Sequence, residues 1–213
     1  MPHPEREYSL FLCTFAIRPI SLMNKKYNRE DILVAGIQLI RERGYANTGI
    51  QDILSYCGIP KGSFYNFFAS KEAFALEAID FFKDKMGHIL ADIDAEALTP
   101  PEKIKKFALT ANTLYCSSGR KNSFLLSLAN EVSEDNPAFS APISDCFEGF
   151  KGFLQKWIRE GQEQGYLISA LPDKEMASLL LDSYHGAVIR MRYELKPDAI
   201  VAYCEKTLQT FTT

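Results

Sequence analysis

Apolar residues recur at helical spacing in block after block of this chain, and no stretch shows the one-in-two alternation of a half-buried strand. In the first block Ile32, Leu33, Gly36, Ile37, Leu39 and Ile40 follow Asn28, a good helix N-cap, and the run stops at Arg43-Gly44. Ile50, Ile53 and Leu54 define a shorter helix, capped by Thr48 and closed by Gly58, where a left-handed C′ position suits glycine. Pro60 and Lys61 open the next helix, because a first-turn amide has no intrahelical partner for proline to forfeit. Phe64, Phe67 and Phe68 fall at i, i+3 and i+4 and face a core, which turns Lys61, Gly62, Ser63, Tyr65 and Asn66 outward. Two short helices joined by a glycine turn, with a longer helix walling them, predict a helix-turn-helix.

The rest of the chain repeats the helical pattern at greater length. Ser70 caps a helix running to about residue 93, with Glu72 in a first turn whose dipole favours an acid. Thr99, Pro100 and Glu102 make a capping box with proline at the first helical position, opening a helix to about residue 116. Ser117-Ser118-Gly119 breaks it, and further helices are predicted over about 122–132, 142–164, 174–194 and 197–211, with Gly165 ending the second of these four. The fold class is therefore all-α, eight or nine helices, with a three-helix head at the N-terminus and a larger helical domain behind it.

The run from residue 60 to residue 72 resembles the TetR family of bacterial repressors. That family's sequence of a small residue, Lys-Gly, two residues, Tyr, an aromatic pair and Ser-Lys-Glu is met by Pro60, Lys61-Gly62, Ser63-Phe64, Tyr65, Phe67-Phe68 and Ser70-Lys71-Glu72. The resemblance implies a DNA-binding head over 23–72 and an effector-binding and dimerisation domain over 73–213. It implies DNA contacts from Thr48, Lys61, Gly62, Ser63, Tyr65, Asn66 and Lys71. Tyr65 and Lys71 would anchor phosphates, Lys61, Ser63 and Asn66 would read base edges, and Gly62 would admit close backbone approach. The family often carries a second hydroxyl where Gly49 stands, and His or Tyr where Phe67 stands.

Charge agrees with that division once it is split along the chain. The whole chain is at −3, but residues 23–72 hold seven basic against five acidic residues, and those after 72 hold 15 against 20. Five cysteines, Cys13, Cys57, Cys116, Cys146 and Cys204, form no C-x-x-C pair, which predicts neither disulfides nor a metal site and fits a reducing cytoplasm. No apolar run reaches the ~20 residues that span a bilayer, so no membrane association is expected. Residues 1–22 read as a poorly ordered extension ahead of a basic arm at Lys25-Lys26. No Walker A, H-E-x-x-H, G-x-S-x-G or G-x-G-x-x-G motif is present, so neither catalysis nor a cofactor is expected.

In the family a small effector binds between C-terminal helices, and Tyr115, Cys116, Phe124, Phe150, Trp157, Tyr184 and His185 are the candidates to line its site, although aromatic stripes are more often plain core. Around Ser123, Phe124 and Asn130-Glu131-Val132 the layout is closest to the NemR-like subgroup, whose members sense electrophiles through a cysteine. Ser123 stands at the position expected for that cysteine and forms no thiolate, so the chemistry does not carry over. Cys116, followed by Arg120-Lys121, reads as an inert thiol.

The family's two-fold dimers pair the last two helices. Met176, Leu179, Leu180, Ser183, Tyr184, Ala187, Val188 and Met191 form one stripe, Ile200, Val201, Cys204, Thr207, Leu208 and Phe211 the other, with Ala187 expected in the seam and Leu181 marking a second apolar surface. The expected function is a repressor released from a palindromic operator by an unknown small-molecule effector. Two rivals stay open: a TetR-fold protein with an architectural or activating role and no effector, and, more distantly, an all-α enzyme.

Overall fold

Among the described residues helical periodicity becomes seven α-helices: α1 (Arg29–Arg43), α2 (Ile50–Cys57), α3 (Lys71–Ala95), α4 (Pro100–Cys116), α5 (Phe124–Glu131), α6 (Ser140–Glu163) and α7 (Asp173–Glu194). The computed structural model describes residues 28–116, 123–131, 137–194, 200, 202–203 and 206–207, and among these no β-strand forms. The predicted extension and basic arm, the Ser117-Ser118-Gly119 break, and most of the predicted final helix lie outside the described residues.

Helix boundaries follow from their caps. Asn28 accepts from the Asp31 amide at 2.8 Å while Asp31 accepts from the Asn28 amide, so α1 begins where the sequence placed it. At α2 the cap expected at Thr48 is instead Gly49, whose amide donates to the Asp52 carboxylate at 2.8 Å. Thr48 is fully buried, and its hydroxyl donates 2.7 Å to the Gly44 carbonyl. The hydroxyl therefore closes the connector behind α2 instead of serving the helix in front of it. Gly58 has φ 67, donating to the Ser55 carbonyl, and Ile59 donates back to Leu54 at 2.9 Å, a Schellman closure with Ile59 buried beneath it. Thr99 donates both amide and hydroxyl to Glu102, so half of the expected box forms, with the hydroxyl turned donor.

Lys61–Asn66 is a 3-10 helix, where a short α-helix was expected. Six residues between a proline and a closing aromatic pair are too few for α-geometry to gain from its cooperativity, and the tighter turn is the usual form of such pieces. Phe67 and Phe68 both donate back to the Phe64 carbonyl, which tightens the exit.

Two compact units divide the described residues: one comprises those up to Asp84 and between Ser117 and Asp145, the other those from Lys85 to Cys116 and from Cys146 onward. The first is built on Ile32, Ile37, Leu39 and Ile40 of α1, Ile53 and Leu54 of α2, Phe64, Phe68 and Phe74. Each large side chain so buried contributes about 1.5–3 kcal/mol in transfer. Gly36 is needed because a Cβ there would collide with the Phe74 ring, so α1 and α3 pack backbone against aromatic. Arg29 pairs with Glu77 and covers the Phe68 ring at 4.7 Å. Phe124 of α5 packs against Phe82 with centroids 5.5 Å apart, so α5 belongs to the same unit as the head.

In the second unit Ile104, Phe107, Leu154, Trp157, Ile158, Met176, Leu180, Leu181 and Val188 make the core. Asp94 holds three helices together: Trp157 Nε1–H donates to its Oδ1 at 2.8 Å, Lys156 Nζ to its Oδ2 at 2.6 Å, and Lys103 Nζ to its backbone carbonyl at 2.6 Å. Those donors, the Lys156 bond first, hold the Asp94 carboxyl below its usual range against the opposing effect of burial. Gly165, at φ 76, ends α6 as expected.

Candidate nucleic-acid interface

A surface that reads DNA needs donors that its own protein leaves available, on a backbone that does not move. The buried Phe64–Phe68–Phe74 cluster, with centroids 5.1–6.0 Å apart, supplies the rigidity beneath the 3-10 helix. Above it Gly62 and Asn66 are exposed, Ser63 is half-buried and Tyr65 is 64 % exposed. Among the described residues, the Ser63, Tyr65 and Asn66 side chains find no hydrogen-bond partner. Tyr65 meets the Phe64 ring edge-on at 5.8 Å, which props the ring and leaves Tyr65 exposed. A Cβ at Gly62 would touch nothing within 4 Å, so packing within this chain does not require glycine there. The Lys61 side chain lies outside the described residues.

Two of the expected DNA contacts are differently placed. Thr48, fully buried, cannot present its hydroxyl to a phosphate. Lys71, in the first turn of α3, lies half-buried with Nζ 4.2 Å over the Tyr45 ring and 3.5 Å from the Ala46 carbonyl; burial lowers its pKa, with Glu131 and Asp52 opposing. The ammonium expected to anchor a phosphate is thus held against an aromatic ring and a carbonyl of its own chain.

The residues expected to line an effector site are shared between the two units. Phe124 is buried in the first unit. Trp157 is fully buried in the second with its indole N–H given to Asp94, which makes it core. Phe150 and Tyr184 each pack on the Phe107 ring, with centroids 6.3 and 6.1 Å away, and His185 stacks edge-on to Phe147 at 4.9 Å with its pKa lowered by burial. The Tyr115 and Cys116 side chains lie outside the described residues. Beside Phe107 and Tyr184, a cavity of about 10 Å³ is lined also by Ile104, Leu154, Leu180 and Tyr203, room for about one water molecule.

On α7 the expected seam divides. Met176, Leu180, Tyr184, Ala187, Val188 and Met191 are buried in their own unit, and Leu181 joins them, whereas Leu179, Ile189 and Tyr193 are 44, 49 and 71 % exposed. These three, with Gly186 between, make an apolar face at i, i+7, i+10 and i+14. The spacing was present in the sequence but overlapped the core stripe. Among the described residues there is no cluster of metal-ligating side chains, and no helix is long and apolar enough to cross a membrane. Cys57 is buried and its thiol is pushed up to about 12 by burial, the opposite of a reactive thiolate. Ser123, the position discussed for a sensing cysteine, accepts from the Leu126 amide at 3.4 Å as the cap of α5.

Comparison with known proteins places this geometry. Residues 32–78, from α1 into α3, match the model of bacterial regulatory proteins, tetR family. The HTH-type transcriptional repressor DhaR of Mycobacterium sp. (strain GP1) is 32 % identical over 168 residues, 78 % of this chain and 83 % of that one. The HTH-type transcriptional repressor NemR of Escherichia coli (strain K12) is 42 % identical over 167 residues, 77 % and 83 % of the two chains. The crystal structure of a regulatory protein TetR from Rhodobacter sphaeroides superposes with a TM-score of 0.79 at 24 % identity, covering 86 % of this chain and 98 % of that one.

Proposed function

We propose that this chain, which belongs to the TetR family of bacterial regulatory proteins and is a DNA-binding transcriptional regulator and not an enzyme, represses transcription in the cytoplasm as a homodimer released from a palindromic operator by a small organic effector. The observation that carries the reading is the surface of the Lys61–Asn66 helix: hydrogen-bonding side chains left without partners among the described residues, standing on a rigid aromatic base. One such helix per protomer enters a major groove, Asn66, Ser63 and Lys61 reading base edges and Tyr65 and Lys71 binding phosphates, with Gly62 letting the backbone close in. The head over 23–72 does this, and the chain beyond it dimerises and senses. Dimerisation uses the exposed Leu179, Ile189 and Tyr193 face of α7 together with the helix predicted over 197–211.

A drug-sized ligand needs about 300–1,000 Å³, far more than the cavity beside Tyr184 and Phe107. Effector binding there must repack α4, α6 and α7, and that requirement supplies the differential affinity by which a ligand can favour one state of the protein over another. Among the described residues a cavity this small is equally compatible with the rival reading, a TetR-fold DNA-binding protein without an effector. Selection of duplexes from a random-sequence pool by the wild-type protein, followed by gel shifts with a library of small organic compounds, separates them. Enrichment of a palindrome and its release by a compound supports the proposal; a palindrome that no compound releases supports the rival; no enrichment at all removes both.

A further inference from the structure

We infer that Glu131, far in sequence from the head, is a positioning residue for operator binding: its carboxylate holds the connector between α1 and α2 and so fixes the helix-turn-helix. The inference rests on the proposed reading of the head as the operator-binding surface.

Glu131 is the last residue of α5, and its two oxygens divide between two consecutive backbone amides of the connector, Tyr45 N–H at 2.8 Å and Ala46 N–H at 2.5 Å. Charge-assisted bonds of this kind are the stronger sort, and two on adjacent amides fix orientation as well as distance. The connector is shaped to receive the carboxylate. Gly44 has φ 85, and a Cβ there would collide with Glu131 Oε1, so glycine is needed both for the backbone and for the space. Lys71, from α3, grips the same two residues, its ammonium over the Tyr45 ring and near the Ala46 carbonyl. On its other contact the Tyr45 ring meets Phe139 edge-on at 5.3 Å.

The connector in turn sets the start of α2. Thr48 N–H donates to the Tyr45 carbonyl at 3.1 Å and the Thr48 hydroxyl to the Gly44 carbonyl at 2.7 Å, so the residues that Glu131 holds are those that anchor Thr48. From there α2 runs eight residues to the Gly58 turn that launches the Lys61–Asn66 helix. Glu131 gains nothing for its own helix. A carboxylate at a helix C-terminus opposes the dipole, and eight residues are too few for an isolated helix to persist. What places it there is the pair of amides it meets.

Full-length protein provides the test, with the duplex that the wild type selects from a random pool and a scrambled duplex of the same length. Amide exchange is followed by NMR at Tyr45 and Ala46, and the affinity ratio of selected to scrambled duplex is measured for Glu131→Ala, for the isosteric Glu131→Gln, and for the exposed neighbour Asn130→Ala as control. Glu131→Ala should speed exchange at both amides about ten-fold and lower the affinity ratio several-fold, with Glu131→Gln between it and the wild type and Asn130→Ala unchanged. Should Glu131→Ala fail to fold, Glu131→Gln, which keeps one acceptor and the same volume, decides alone by the same two readouts. Unchanged exchange overturns the contact, and faster exchange with an unchanged ratio overturns the positioning role while leaving the head a DNA reader. If the wild type selects no duplex, the underlying reading falls first and the inference with it.

Discussion

Gly62 and Lys71 bear on DNA in different ways, one through space and the other through charge. Nothing in the chain would obstruct a side chain at Gly62, so Gly62→Ala should leave the thermal unfolding midpoint within a degree or two yet weaken binding to the selected operator about ten-fold through steric contact with DNA. A variant with wild-type affinity removes close backbone approach from the mechanism. Lys71 lies against Tyr45, 4.2 Å above the ring, but its charge remains at the first turn of α3, close in sequence to the proposed DNA-reading surface. Lys71→Ala should therefore weaken selected and scrambled DNA alike and flatten the salt dependence of binding by about one unit on a log–log plot; an identical slope argues against a phosphate contact. Residue chemistry was legible in the sequence where it was local, as at Asn28, Gly58 and Gly165. It was not at Thr48, because a hydroxyl one place ahead of a helix can cap forward or bond backward, and the backward bond to Gly44 depends on how the connector folds. Glu131 gave no local signal, being 85 and 86 residues from the amides it holds.

Between elements, Asp94 is the point where α3, α4 and α6 are tied. Its folded-state pKa lies below the ordinary value of 3.8, principally through the Lys156 hydrogen bond. A carboxyl depressed in the folded state contributes stability in full above its unfolded value and loses it as pH falls through the folded value. The wild type should therefore lose this contribution below about pH 4, while Asp94→Asn starts from a less stable baseline at neutral pH and falls less steeply in acid. Trp157, the single tryptophan, donates to Asp94 and reports the change through its own emission. Parallel acid profiles for the two proteins would remove Asp94 from the linkage. Periodicity placed α3, α4, α6 and α7 to within a few residues, since long amphipathic helices announce themselves over many turns. The Lys61–Asn66 piece was read as α-helical because aromatics at i and i+3, Phe64 and the capping Phe67, satisfy either helix. A carboxylate shared by three helices leaves no pattern along any one of them.

For the whole molecule the decisive matter is the second copy. Helical spacing on α7 was read as a stripe running through Ala187, with Leu181 marking a second apolar surface, which would have put Ala187 in the seam between protomers. In the structure Ala187 is 5 % exposed within its own unit, and the apolar residues left outside are Leu179, Ile189 and Tyr193. A helix that is apolar on two faces gives a periodicity that does not say which face is the core; only packing by α4 and α6 makes the choice. The two substitutions then have opposite consequences. Ala187→Glu buries an unpaired carboxylate inside each protomer and should unfold it, or cost several kcal/mol. Ile189→Glu adds a charge to a surface already half open to water, so each protomer keeps its helical signal and melting behaviour, while two like charges are forced together or stranded in the apolar seam of a two-fold interface. By light scattering at micromolar concentration the wild type should have a mass near twice the 24.1 kDa of one chain, and Ile189→Glu a mass near one. Because two heads joined at fixed separation bind a palindrome far more tightly than either head alone, the same variant should also lose operator affinity by a hundred-fold or more while its binding to a single half-site stays at the wild-type protomer's level. A wild type of one-chain mass, or an Ile189→Glu protein that remains a folded dimer, would place the interface somewhere other than this face of α7.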